Sequence, residues 1–492
     1  MDASLSAGFS LGCPFQRSDF PDERLWRRAR CCVQASASSH LHLASDAAEA
    51  LRRGKDRFCH NKRIPGDQLL AASARLLSDD LLAAPVLLSV EDTMLVRAGG
   101  RFEPADAGPL RNAYDHGYVV HDGFVLRPGA SFPEAWTGAL VWTRGFDLHL
   151  KDHKTRSAPE RESAKWALFR QQTHDRLRRQ GFLGRLVSLN DREGDTWSSL
   201  VVAKQRGHEL VSRACQDRCL EHEEVTLRPF LRQQPPIAQV TMPLYGKGKH
   251  RHRKSHIEVQ VRWSEVTLSP PKNADPEHAK PLTLVAIHLQ QAGRRGKKRF
   301  ESLVLTTCPV ETDEEALEVV GWYGYRWASE VGHDVLKNGL GLEKEPVADV
   351  EAFKRLLALE GPVAAQVARW VRLARQPKPM AVSKVFDRAT LAELRHACQF
   401  YKQRTPKRWT LVGVVETLAS LGGADVRPDR PPGWRAVLRG WQQFEQFRQI
   451  VEFARTGKAL PRQAQETRVS ETTKDEEWEP PSPMTILWKR SR

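Results

Sequence analysis

Residues 85–96 read PVLLSVEDTMLV, an apolar run interrupted only by Glu91-Asp92-Thr93. A run this continuous, without polar alternation, predicts a strand buried on both faces that ends in an acidic turn. A second run of the same kind, LGRLVSLNDREGDTW at 183–197, also ends in acids. Between the two, GYVVHDGFVLRP (117–128) and TGALVWTRGFDLHL (137–150) read as strands, and ESAKWALFRQQTHDRLRRQGF (162–182) carries a helical period. The order strand–strand–strand–helix–strand predicts an α/β domain built on a mixed sheet.

The flanks differ in character. Residues 1–75 read as helical and basic, with Arg24, Arg27, Arg28 and Arg30 close together and a second cluster at 51–63, LRRGKDRFCHNKR. Such clusters suit phosphate contacts, or are ordinary surface arginines. Residues 200–310 alternate in short β-like runs such as HIEVQVRW and FESLVLTT. They predict a β-rich insertion with two basic loops, KGKHRHRK (247–254) and RRGKKR (294–299). The first loop contributes Lys247, Lys249, Arg251, Arg253 and Lys254 as candidate DNA contacts. Residues 345–375 and 390–456 read as amphipathic helices, and the stretch after about 460 as a polar, flexible tail.

The charge balance narrows the partners. Lysine and arginine number 76 against 60 acids, a net charge of +16, which points to a polyanion, most simply nucleic acid. The chain holds no apolar run of about 18 residues, and its opening MDASLSAGFSLG lacks the pattern of a signal peptide. A cytoplasmic protein without membrane contact is therefore expected. The eight cysteines form no framework, which fits a reducing compartment. Cys215, Cys219 and His222 form a partial zinc pattern without a convincing fourth ligand nearby.

The acids at the two strand ends carry the chemistry. Asp92 follows LLSVE and Asp191 follows LVSLN. Carboxylates at such places project where pockets form in α/β folds, although turn formation alone also explains an aspartate there. A third carboxylate comes from YGYRWASEVGHDVLKNG, residues 323–339. On a straight helix Tyr323, Arg326, Glu330 and Lys337 fall within a stripe about 60° wide. Asn338-Gly339 reads as the helix stop. A solvated ion-paired face gives the same spacing. His333, one turn past Glu330, falls near the stripe. Three carboxylates can hold two Mg²⁺ or Mn²⁺ ions, the arrangement that activates a hydroxyl and stabilises a leaving oxygen in phosphodiester chemistry.

With these residues assembled, the chain resembles the bacterial DDE transposases, in particular the insertion-sequence-four group that includes transposon Tn-five. The mark is Tyr323-x2-Arg326-x3-Glu330-x6-Lys337, similar to the group's YREK signature in type and spacing. SVEDT (89–93), NDREGD (190–195), Gly117-x3-His121, ESAKW (162–166) and DERLWRR (22–28) resemble the group's other blocks in the same order. The resemblance covers residues 15–456.

The resemblance implies an RNase H-like catalytic core at 76–365, with the β-rich insertion at about 200–310. A helical DNA-end-binding domain is implied at 1–75, a helical dimerisation domain at 366–456 and a tail at 457–492. It implies Asp92, Asp191 and Glu330 as catalytic metal ligands. DNA contacts are implied from Tyr323, Arg326, His333, Lys337, Arg24, Arg27 and Arg28. The activity implied is cut-and-paste transposition. Terminal inverted repeats are bound, the strand is hydrolysed with two divalent ions, and the 3′-hydroxyl is joined to target DNA. Work is done in a homodimer, without a small-molecule substrate. The chain departs from the pattern at Ser302, where a base-inserting tryptophan is implied; Trp322 is an alternative aromatic, or a core residue. Two other readings share the pattern: an inactive or domesticated DNA-binding inhibitor, and a nuclease of this fold without strand transfer.

Overall fold

The computed structural model describes residues 13–36, 46–75, 78–99, 104–111, 114–145, 162–221, 224–245, 254–293, 300–376, 380–427 and 431–455. Its strands are β1 (Val86–Arg97), β2 (Gly108–Pro109), β3 (His116–Leu126), β4 (Ala135–Trp142), β5 (Arg185–Asn190), β6 (Glu209–Arg213), β7 (Ala238–Tyr245), β8 (Lys254–Leu268), β9 (Leu282–Gln291) and β10 (Glu301–Thr306). The helices are α1 (Glu23–Ser36), α2 (Asp46–Cys59), α3 (Gly66–Ser73), α4 (Asp79–Leu82), α5 (Lys165–Arg179), α6 (Trp197–Gln205) and α7 (Leu227–Gln233). They continue with α8 (Asp313–Tyr323), α9 (Ala328–Asp334), α10 (Val350–Ala374), α11 (Arg388–Phe400), α12 (Leu411–Leu421) and α13 (Trp434–Arg455).

All ten strands join one sheet in the order β2-β3-β1-β5-β6-β10-β9-β8-β7, with β4 also on β3. The sheet is mixed. β1, β3 and β4 pair antiparallel as a meander, while β1–β5 and β5–β6 are parallel. Each parallel neighbour is reached by a helical crossover, α5 before β5 and α6 before β6, as parallel pairing requires. The β-rich stretch expected at about 200–310 carries β6 to β10, and these strands extend the same sheet.

Two apolar faces result. Leu88, Val90, Met94 and Val96 of β1 pack with Phe124, Trp136 and the buried side of α10. Leu87 and Val125 point the other way, toward Leu177 of α5 and Phe182. Helix α10 is buried along most of its length, and Asp349 caps it by accepting a hydrogen bond from the Ala352 amide at 2.7 Å. It crosses the division expected at residue 365 without a break. Helices α1, α2, α3, α12 and α13 all pack on it. Among the described residues no helix is long and apolar enough to cross a membrane.

One expectation is corrected. Strand β1 does not end at Glu91-Asp92-Thr93 but runs through them to Arg97. Parallel pairing with β5 stops at Val90↔Leu189, while antiparallel pairing with β3 continues to Arg97↔Gly117. The acids therefore lie where one neighbour ends and the other persists. Met94, Leu95 and Val96 keep the strand preference that the acids interrupt.

Candidate active site

The shared register of β1 and β5 brings the two aspartates together. Asp92 and Asp191 each lie two residues beyond the last paired position, Val90↔Leu189. Adjacent strands run about 4.8 Å apart, and residues two apart share a face. Both aspartates thus belong to the face of Val90, Val187 and Leu189, which is turned to the helical layer of α9 and α10. Asp92 accepts from the Thr93 amide at 2.8 Å and from Ser329 Oγ of α9 at 3.4 Å. Asp191 accepts from the Glu193 amide at 2.7 Å and so caps the short 3-10 turn Arg192–Gly194. The turn-forming role is real for Asp191, and it leaves the second carboxylate oxygen outside that bond.

Glu330 reaches this face on a helical run that is not straight. Helix α8 tightens into the 3-10 turn Gly324–Trp327, resumes as α9, and widens into a π turn, Val335–Gly339. The run stops at Gly339, as the sequence predicts, but the even stripe of a uniform α-helix is not the observed geometry. Gly332 supplies the reason α9 can approach the sheet. A Cβ there would lie 2.3 Å from the Phe124 ring of β3. The glycine that weakens the helix is what seats Glu330 beside Asp92.

Arg326 is the electrostatic centre. Burial presses its pKa down, but Tyr323, Asp92, Glu330 and Asp191 together outweigh that and hold it above the usual arginine value. Its Nη2 lies 3.6 Å from Glu330 Oε1. Burial raises the Glu330 pKa; Arg326 opposes the rise and Asp92 adds to it. Burial also raises the phenol of Tyr323, which interacts with both Arg326 and Asp191. The three candidate carboxylates, from three separate elements, thus act on one guanidinium.

The donor set is all carboxylate oxygen, the chemistry that hard divalent cations prefer. Mutual repulsion of the acids, here relieved by Arg326, is what a cation would relieve further. As the side chains stand among the described residues, no three His, Cys, Asp or Glu are set to hold an ion without adjustment. The residue types of Asp92, Asp191 and Glu330 suit such a cation.

His333 and Lys337 follow on the same run. His333 Nε2 lies 2.6 Å from Asp122 Oδ1. Burial alone would lower the His333 pKa, but Asp122 outweighs it and the net shift is upward. Lys337 donates to the Leu95 carbonyl and lies 3.2 Å from Glu343.

Three neighbours escaped the sequence reading. Asp122, fully buried, is the cross-strand partner of Asp92 on β3. Only the register reveals it. Lys165, at the start of α5, interacts with Asp92 and Glu193 and has its ammonium over the rings of Trp142 and Trp166, 5.6 and 5.7 Å from their centroids. Trp327 is 39% exposed, with the Arg326 guanidinium 5.1 Å from its ring centroid. By contrast Trp322 is a core residue and Ser302 is buried within β10. A cavity of about 580 Å³ opens beside the acids, lined by Thr93, Lys165, Glu193, His333 and Lys337 among others.

The N-terminal arginines form a separate place. Arg24 and Arg28 of α1 line a cavity of about 320 Å³ together with Arg57 and Arg63. Arg27 is exposed and pairs with Glu23 at 2.9 Å. Lys247, Lys249, Arg251 and Arg253, and the 294–299 cluster, lie outside the described residues. Lys254 begins β8. Cys215 and Cys219 are exposed free thiols, and His222 lies outside the described residues. No protein-family model matches the chain.

Proposed function

We propose that the chain is a DNA transposase with an RNase H-like core, acting as a homodimer on terminal inverted repeats and joining the freed 3′-hydroxyl ends to target DNA. The observation that carries the reading is the convergence of Asp92, Asp191 and Glu330 on Arg326 at the edge of a parallel strand pair. Mg²⁺ or Mn²⁺, when bound by those carboxylates, supplies a nucleophile at neutral pH and stabilises the leaving oxygen.

The chain's own residues do the rest. Arg326 offers a planar donor fork to the non-bridging phosphate oxygens, and its charge is already held amid the acids. Tyr323, half-buried beside Arg326, orients that fork. Lys337, anchored through Leu95, places an ammonium further along the same run, where the flanking phosphate passes. Trp327 offers an exposed ring for a base to stack on. The arginines of α1 and the net positive charge hold the duplex away from the centre.

The test uses purified protein, Mg²⁺ and a duplex ending in the inverted repeat read from DNA beside the gene. Cutting followed by joining is expected. Asp92→Ala, Asp191→Ala and Glu330→Ala each abolish cutting while gel-shift binding persists. If binding vanished together with cutting in all three, the acids would be structural and the reading would fail. Arg326→Ala lowers cutting by roughly 10²-fold, the usual loss of one charge-stabilising donor.

A further inference from the structure

The three candidate carboxylates are not held alike. Asp92 lies in a strand whose pairing with β3 continues on both sides of it. Glu330 rides on α9, which Gly332 seats against Phe124. Asp191 lies one residue past the last pairing of β5 with β6, Asn190↔Ser212. Among the described residues its carboxylate makes a single hydrogen bond, from the Glu193 amide of its own turn. Where Asp191 points therefore depends on what holds that turn.

Asp195 closes the turn, its amide donating to the Arg192 carbonyl at 3.4 Å. Its side chain is buried and engages a different segment, the stretch after β6. One carboxylate oxygen accepts from the amides of Cys215 and Gln216 at 2.8 and 3.2 Å, and the other accepts from Arg218 Nη2. The same nitrogen donates to the Asp195 carbonyl at 3.1 Å. The receiving segment is itself fixed. The Ala214 amide donates to the Leu303 carbonyl at 2.8 Å, and Asp217 accepts from Thr226 Oγ1 and the Arg228 amide at 2.7 and 2.8 Å.

Loop stabilisation alone explains a buried aspartate with several donors. It does not explain the place of this one. A single 3-10 turn separates Asp195 from Asp191, and the turn is packed: a Cβ on Gly194 would lie 2.6 Å from Asn190 Cβ. A shift of Asp195 is passed on to Asp191, because nothing between them has room to absorb it.

We propose that Asp195 is a positioning residue: clamped by Arg218 and the amides of Cys215 and Gln216, it holds the Asp191 carboxylate on the face it shares with Asp92, and so sets how tightly the site takes a divalent cation. The inference rests on the reading of the three acids as metal ligands and adds the residue that keeps one of them in place. Groups that hold a metal ligand from behind typically carry about 10- to 100-fold in affinity.

The test is Mn²⁺ binding to the full chain without DNA, read from the electron paramagnetic resonance signal of the free ion, with thermal melts to check folding. Asp195→Asn keeps the shape of the side chain and removes the charge facing Arg218. Arg218→Gln removes the partner and leaves the amide bonds. Each is expected to weaken Mn²⁺ binding about tenfold or more. Arg185→Gln breaks the 2.7 Å pair with Glu209 at the opposite end of β5 and β6, and should leave Mn²⁺ affinity unchanged even where it lowers the melting temperature. Wild-type affinity in either clamp variant, folded, overturns the inference; if Asp195→Asn does not fold, Arg218→Gln decides. A loss that Arg185→Gln reproduces in step with its melting temperature overturns it too. Asp191→Ala separates this from the reading beneath it. Binding lost in Asp191→Ala but kept in Asp195→Asn removes the clamp alone. A wild type that takes up no Mn²⁺, or an Asp191→Ala that binds like wild type, sinks the carboxylate reading itself.

Discussion

At the scale of single residues, the Asp122–His333 pair makes a signed prediction. The His333 pKa is raised in the folded chain, chiefly because Asp122 outweighs burial. A raised histidine contributes stability that is complete below its unfolded pKa, about 6.5, and is lost as pH climbs through the higher folded value. Asp122→Asn therefore costs most, about 2 kcal/mol, at mildly acidic pH and progressively less on the alkaline side, while in stronger acid burial of the Asp122 carboxyl favours its protonation and the cost falls again. Thermal melts of both proteins across that range check this; a gap independent of pH would mean the contact carries no charge. Asp122 also marks the limit of reading residues one by one. In sequence it is the aspartate of VVHDG inside a strand, with nothing to separate it from a turn former. Its importance comes from lying opposite Asp92, which only pairing defines. Asp92, Asp191 and Glu330 were legible because each follows a local pattern, an apolar run broken by acid or a fixed helical spacing.

Among the elements, the run from α8 to Gly339 is where local pattern and packing diverge. Spacing predicts one uniform helix, and the observed run changes pitch twice. The reason lies outside the run: α9 is pulled against β3, and Gly332 is the point of contact. Gly332→Ala should cost roughly 1–3 kcal/mol, since the added carbon has no room beside Phe124. Phe124→Leu in the same chain should recover part of it, measurable by denaturant melts; additive losses would refute that contact. On the other face of β1, burial raises Glu91 to about 7 and lowers Arg170 to about 10, and the two are each other's charge partners. Removing either one, as Glu91→Gln or Arg170→Met, leaves a buried charge and should cost about 3 kcal/mol. The double variant should lose less than the sum, the mark of direct coupling.

For the whole molecule, charge and connectivity set the expectations. Duplex affinity should fall steeply with added salt, and Arg28→Glu, at the α1 cavity, should both weaken binding and flatten that slope by about one or two. An unchanged slope would move the duplex to another surface. The N-terminal helices are tied to the core by Lys55 of α2. It is buried and lies 2.8 Å from Glu360 of α10 and 3.2 Å from Glu345, just beyond the signature run. The far side of that run is tied down as well. Trp434 of α13 packs where Gly339 leaves room, and Arg435 holds Asp334 through both carboxylate oxygens. A shortened chain meant to keep the carboxylate site should not stop after α10. Severed from α13, the stretch carrying Glu330 and Lys337 would lose its backstop, so the sheet domain and the C-terminal bundle must be transplanted as one piece.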